Sequence, residues 1–175
     1  GGTTLPNQDW MQEVYGRWRE TAVATRAKFT IIMSPRRTAT GPGSNYGDMS
    51  HIAELRARIG DEHIAAWEGL NEHDLSGRPG FAAEVRTLQQ ALYAAVKQNP
   101  VSAAHHVVVG PSIANVSTAS QIGDLSAFMD AGAIHPYDGG KIPSSNLRQH
   151  MDCMRPVNGA RPLWATEVGY HTAST

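Results

Sequence analysis

Strand-like apolar runs recur along the chain with a helix-like segment in each gap, and this alternation limits the fold more than any other feature. Five such runs stand out: Phe29-Thr30-Ile31-Ile32-Met33, Ile64 to Glu72, Val107-Val108-Val109-Gly110-Pro111, Ala133-Ile134-His135, and Leu163 to Glu167. They are short and bounded by turn residues, and they recur at intervals of about 27 to 42 residues, the length a crossover helix needs to join two parallel strands. The gaps carry helical periodicity. Residues 7 to 27 place Trp10, Val14, Trp18 and Ala22 at helical spacing behind the possible caps Asn7 and Asp9. Residues 51 to 59 form a short helix. Phe81, Val85, Leu88, Leu92 and Val96 make one stripe that Asn99-Pro100 stops. Further helices are predicted near residues 125 to 129 and 145 to 154. The segment from Arg36 to Ser50, with Gly41-Pro42-Gly43-Ser44-Asn45, has turn chemistry throughout and is expected to be a surface loop.

The expected class is therefore α/β with a parallel sheet, in a single domain spanning residues 1 to 175. An open doubly wound sheet and a closed barrel both satisfy the periodicity. A doubly wound nucleotide binder carries a Gly-rich turn after its first strand, and neither G-x-G-x-x-G nor G-x-x-x-x-G-K-[ST] occurs here. A complete eight-stranded barrel takes about 250 residues, more than the 175 present. Five βα units are too few, so a barrel here is expected to be incomplete, with strands lying beyond both ends.

Charge excludes several partners. Lys+Arg number 15 and Asp+Glu 16, which leaves no basic footprint for nucleic acid or for an anionic membrane. No apolar run reaches the roughly 18 to 20 residues that span a bilayer. No signal-peptide pattern follows Gly1-Gly2, and the composition fits a secreted or a cytoplasmic protein equally. The single cysteine, Cys153, excludes an internal disulfide and a cysteine-based metal site, and it has no evident histidine partner for a nucleophilic role.

Two strand ends hold carboxylates: Asn71-Glu72-His73-Asp74 closes the second run, and Thr166-Glu167-Val168-Gly169-Tyr170 closes the fifth. The C-terminal ends of parallel strands point to one face, so Glu72 and Glu167 can converge despite their distance in sequence. Cleaving a glycosidic bond with retention needs such a pair about 5 to 5.5 Å apart, one attacking the anomeric carbon while the other protonates the leaving oxygen. Each motif alone has a plainer meaning. A Glu after a strand commonly starts a helix, where the macrodipole favours it, and His135-Pro136-Tyr137 can be a simple turn. Their joint occurrence on successive βα units favours the catalytic meaning.

Together these residues resemble the clan of retaining glycosidases built on a (β/α)8 TIM barrel, most closely the family-39 glycosidases. Asn71-Glu72 matches the clan's Asn-Glu at the end of strand 4, Glu167 its nucleophile at the end of strand 7, and His135-Pro136-Tyr137 its His-x-Tyr element on strand 6. The resemblance covers strands 3 to 7. It implies Glu72 as acid/base, Glu167 as nucleophile, Asn71 as a donor to the sugar 2-hydroxyl, and Tyr137 as a donor that orients the Glu167 carboxylate. His135 would line the pocket, and Trp67 or Tyr170 would offer a ring face to a sugar. The clan's strand-2 arginine and strand-8 aromatic have no counterpart here. An oligo- or polysaccharide is the implied substrate, with no cofactor and no metal.

Glu68 lies in the same strand as Glu72 at even spacing and so faces the same side, one pleat deeper; it is expected to be a buried, hydrogen-bonded partner rather than the acid. The pair His105-His106 precedes a strand and sits at the opposite end from His73, His135 and His171. No H-E-x-x-H spacing exists, so a catalytic zinc is the minority expectation. A saccharide-binding fragment without catalysis is the other alternative.

Overall fold

The computed structural model describes residues 9–33, 46–137, 141–142 and 145–169. In chain order the regular elements are α1 (Asp9–Thr25), β1 (Phe29–Met33), α2 (Ser50–Ile59), β2 (Ile64–Leu70), α3 (Phe81–Lys97), α4 (Pro100–His105), β3 (Val107–Val109), β4 (Gly132–Ile134), α5 (Leu147–Asn158) and β5 (Leu163–Ala165). Short 3-10 turns lie at Asp61–His63, His73–Ser76, Val116–Gln121 and Ser126–Phe128. No helix among the described residues is long and apolar enough to cross a membrane.

All strand pairs are parallel. β1, β2 and β3 form one sheet in that order, and β4 pairs with β5 in a second. A single parallel bridge, Val109 to Ala131, joins the two, reinforced by Gly110 N–H donating to the Ala131 carbonyl at 2.7 Å. The spatial order thus follows the chain order, without the reversal that marks a doubly wound sheet. Among the described residues the strands do not close into a barrel.

The five strands are nonetheless strongly rolled. Neighbouring strands lie about 4.8 Å apart, so a flat sheet would hold β2 and β5 roughly 14 Å from each other. Instead Thr166 Oγ1, just past β5, donates to Glu68 Oε1 of β2 at 3.0 Å. Only a sheet curled about its inner face brings those two side chains into contact.

Register assigns the faces. Trp67 pairs with Ile31 and Val108, whereas Glu68 pairs with Ile32 and Val109. The outer face, with Trp67, Val108 and Ile134, joins the large core made with Tyr15, Leu55, Phe81, Val85, Leu88, Leu92 and Val96. The inner face carries only a small cluster of Ala66, Val109 and Ala133. Small residues inside and large ones outside are what tight rolling requires.

Several expectations are corrected in detail. β2 ends at Leu70, not at Glu72, because Glu72 adopts a left-handed conformation (φ 45°, ψ 43°) that no strand can continue. β5 ends at Ala165, so Thr166 and Glu167 lie beyond it. The helix expected near 125 to 129 is a 3-10 turn. Asn99-Pro100 stops α3 and also starts α4: the Asn99 side chain accepts from the N–H groups of Val101 and Ser102, and Pro100 occupies the first turn, where its missing N–H costs nothing. α5 runs to Asn158 and passes through Pro156. Among the described side chains of α1, Tyr15 and Ala22 are buried, with Trp18 packed against Tyr15 and Phe29 but 39% exposed. The Trp10 side chain and most of the expected loop, residues 34–45, lie outside the described residues.

Candidate active site

The site lies past the C-terminal ends of β2, β4 and β5. Glu72 reaches it from a segment whose backbone is pinned to both neighbours of β2. Asn71 N–H donates to the Met33 carbonyl at 2.9 Å, Glu72 N–H to the Ser112 carbonyl at 3.2 Å, and Ser112 N–H to the Leu70 carbonyl at 3.2 Å. The Asp74 carboxylate accepts from the N–H groups of Ala114 and Asn115 at 3.1 and 2.7 Å. Buried His73 has its Nε2 2.6 Å from Glu84 Oε2, and Arg78 forks onto the same carboxylate. A left-handed non-glycine residue costs on the order of 1–3 kcal/mol, and it persists where its surroundings over-determine it. Here they do.

His135 follows β4 directly, with its side chain fully buried. Its Nδ1 lies 2.8 Å from Glu72 Oε1 and 3.9 Å from Glu167 Oε2, while Nε2 faces Glu68 Oε1 at 3.6 Å, an ion-pair distance beyond direct hydrogen bonding. Burial alone lowers the pKa of this imidazole, but Glu68 and Glu72 at its two nitrogens and the nearby charge of Glu167 outweigh it, and the net shift is upward. His135 therefore holds its proton more tightly than a free imidazole does.

Tyr137 is 51% exposed, and its hydroxyl donates to Glu167 Oε2 at 3.2 Å. Burial and the adjacent Glu167 carboxylate both raise the phenol's pKa, which keeps it a proton donor. Gly169 makes this geometry possible. It bridges to Tyr137 across the two strands, and a Cβ there would stand 2.8 Å from the tyrosine ring. The ring lies over bare backbone and points its hydroxyl at the carboxylate.

Glu72, His135 and Glu167 each present a ligand atom, all within 4.8 Å of one another. A carboxylate oxygen of Glu72 and one of Glu167 thus face each other across a gap of no more than 4.8 Å. A small divalent cation could also occupy that gap.

Of the sequence-predicted site residues, Glu72, Glu167, His135 and Tyr137 meet here, and half-buried Asn71 stands beside Glu72, its Oδ1 accepting from Ser112 Oγ at 3.4 Å. Trp67 does not join them. It is 0% exposed on the outer face of β2, and its indole N–H donates to His106 Nδ1 at 3.1 Å, so it offers no ring face to a ligand. The alternation along β2 already separates residue 67 from residues 66 and 68, and that signal could have excluded it. Tyr170 and His171 lie outside the described residues. Thr166 and Ser112 were not anticipated, since a lone hydroxyl carries no distinguishing pattern. No family model, curated protein or solved structure matches the chain.

Proposed function

We propose that this chain belongs to a hydrolase working with a pair of opposed carboxylates, and specifically to a retaining O-glycoside hydrolase on a (β/α)8-type barrel framework. The observation that carries this reading is the convergence of Glu72 and Glu167, with Tyr137 donating to Glu167 alone. Carboxyl groups about 5 to 5.5 Å apart suit retention, whereas inversion needs about 6.5 to 9.5 Å to admit a water. The rolled, singly wound run of parallel strands supports the barrel framework.

In the first step a Glu167 oxygen attacks the anomeric carbon as the bond from that carbon to the leaving oxygen breaks. Glu72 supplies the proton that the leaving oxygen takes up. His135 Nδ1 engages Glu72 Oε1 at 2.8 Å, which leaves Oε2 as the oxygen that exchanges the proton. In the second step water attacks the glycosyl-enzyme ester, its proton passes to the Glu72 carboxylate, and Glu167 is released.

Fluorogenic aryl glycosides and oligosaccharides test the reading. Glu167→Gln should abolish turnover with little change in thermal stability, and brief reaction followed by acid quench should leave a sugar adduct on the wild-type peptide containing Glu167. Turnover by Glu167→Gln at the wild-type rate removes this residue from the role. The clustering of Glu72, His135 and Glu167 favours one second reading, a metal-dependent hydrolase. Full activity after exhaustive chelation is expected, and metal-restorable loss would select that second reading. Calorimetric binding of oligosaccharides without any turnover would instead mark a non-catalytic saccharide-binding fragment.

A further inference from the structure

Glu68 is a carboxylate that the two-glutamate reaction does not use, yet it is 0% exposed at the heart of the inner face. Burying a carboxylate is costly unless it is well partnered. Glu68 Oε1 accepts from Thr166 and faces His135 Nε2, while among the described residues neither Glu68 Oε2 nor His135 Nε2 has a hydrogen-bond partner. Core packing would be better served at this position by an apolar residue of similar volume.

Its contacts suggest what it does instead. Thr166 is covalently adjacent to Glu167, and His135 touches Glu72. Through one oxygen, Glu68 holds the residue preceding one reacting carboxylate at 3.0 Å and faces the ring that contacts the other at 3.6 Å. It links the end of β2 to the ends of β4 and β5, which pair with each other but not with β2.

We propose that Glu68 is the positioning residue of this site: by anchoring Thr166 and His135 together, it fixes the separation and orientation of Glu167 and Glu72. The kinetic part of this proposal rests on the glycosidase reading above; the anchoring part does not. The charged groups facing His135 are Glu68 from β2, Glu72 from the segment after β2, and Glu167 from the segment after β5. Glu68 is the deepest of the three, fully buried where the other two are partly exposed.

The test uses the full chain and three variants, Glu68→Gln, Thr166→Val and Thr166→Ser, with two readouts. One is the ring ¹⁵N signals of His135 in ¹⁵N-histidine-labelled protein at a fixed neutral pH. The other is kcat and KM on the aryl glycosides. Glu68→Gln preserves shape and removes charge, so the His135 signals should move toward the neutral ring, and kcat should fall about 10- to 100-fold, the scale of a roughly 1 Å misplacement. KM should change less than about threefold, because Glu68 touches no substrate. Thr166→Val should lower kcat in the same range, and Thr166→Ser, which restores the hydroxyl, should recover most of it. Unmoved His135 signals with kcat within twofold in Glu68→Gln overturn the proposal. If that variant does not fold, the threonine pair decides: equal kcat in Val and Ser variants overturns it. A wild-type chain that cleaves none of the glycosides defeats the glycosidase reading instead, and the His135 signals then settle the anchoring by themselves.

Discussion

At the scale of single residues, His135 combines two roles that pull against each other: complete burial, which disfavours charge, and three carboxylates within ion-pair reach, which demand it. The carboxylates win, so the folded ring binds its proton more tightly than the unfolded chain's histidine does. Stability from this group is fully present below the unfolded value of about 6.5 and is lost as pH rises through the higher folded value. Thermal unfolding of the wild type and of His135→Asn, followed between about pH 5 and pH 9, should show this directly. The wild type's advantage should be greatest at the acidic end and shrink toward the alkaline end. An advantage that grows with pH would mean the ring is neutral in the folded protein and the carboxylates are not its partners.

At the scale of elements, β2 is the strand from which both the core and the site are organised, and its one glycine is fixed by packing. A Cβ at Gly69 would lie 2.2 Å from Gln89 Oε1 and 2.9 Å from the backbone nitrogen of Pro111. The Gln89 amide Nε2 donates to the carbonyls of Val109 and Phe128 at 3.3 and 2.9 Å, which ties α3 to β3 across that gap. Gly69→Ala should therefore destabilise by about 1–3 kcal/mol, the usual range for overpacking against groups that cannot yield; chemical denaturation measures it, and an unchanged midpoint would show that α3 shifts freely. The periodicity of apolar residues made the strands and long helices legible in the sequence because burial on one face imposes it. The stripe at Phe81, Val85, Leu88, Leu92 and Val96 is buried as expected. What remained illegible was local and non-periodic: the left-handed turn at Glu72 depends on hydrogen bonds that Asn71 and Glu72 donate to the carbonyls of Met33 and Ser112, both distant in sequence. The site carboxylates could be anticipated because strand ends share one face, whereas Thr166 and the anchoring oxygen of Glu68 meet only after the sheet has rolled.

At the scale of the whole molecule, the two sheets have unequal support. β2 is flanked on both sides, by β1 and β3, and every residue from Ala66 to Leu70 is buried. β5 pairs only with β4 among the described residues, its Trp164 is 39% exposed, and Ala165 is exposed as well. Local opening follows burial and hydrogen bonding, so stability should fall across the sheet from β2 toward β5. Hydrogen exchange read by mass spectrometry should find the amides of Ile64–Leu70 among the slowest and those of Leu163–Ala165 among the fastest of the strand amides. The consequence reaches the site, because Glu72 is mounted on the stable side and Glu167 on the labile one. Thr166 to Glu68 is the hydrogen bond that ties the end of β5 directly to β2, so Thr166→Val should accelerate exchange in β5 by several-fold while leaving β2 unchanged. Equal protection of both strands in the wild type would mean that pairing with β4, itself joined to β3 through Val109 and Ala131, protects β5 as fully as two flanking strands protect β2.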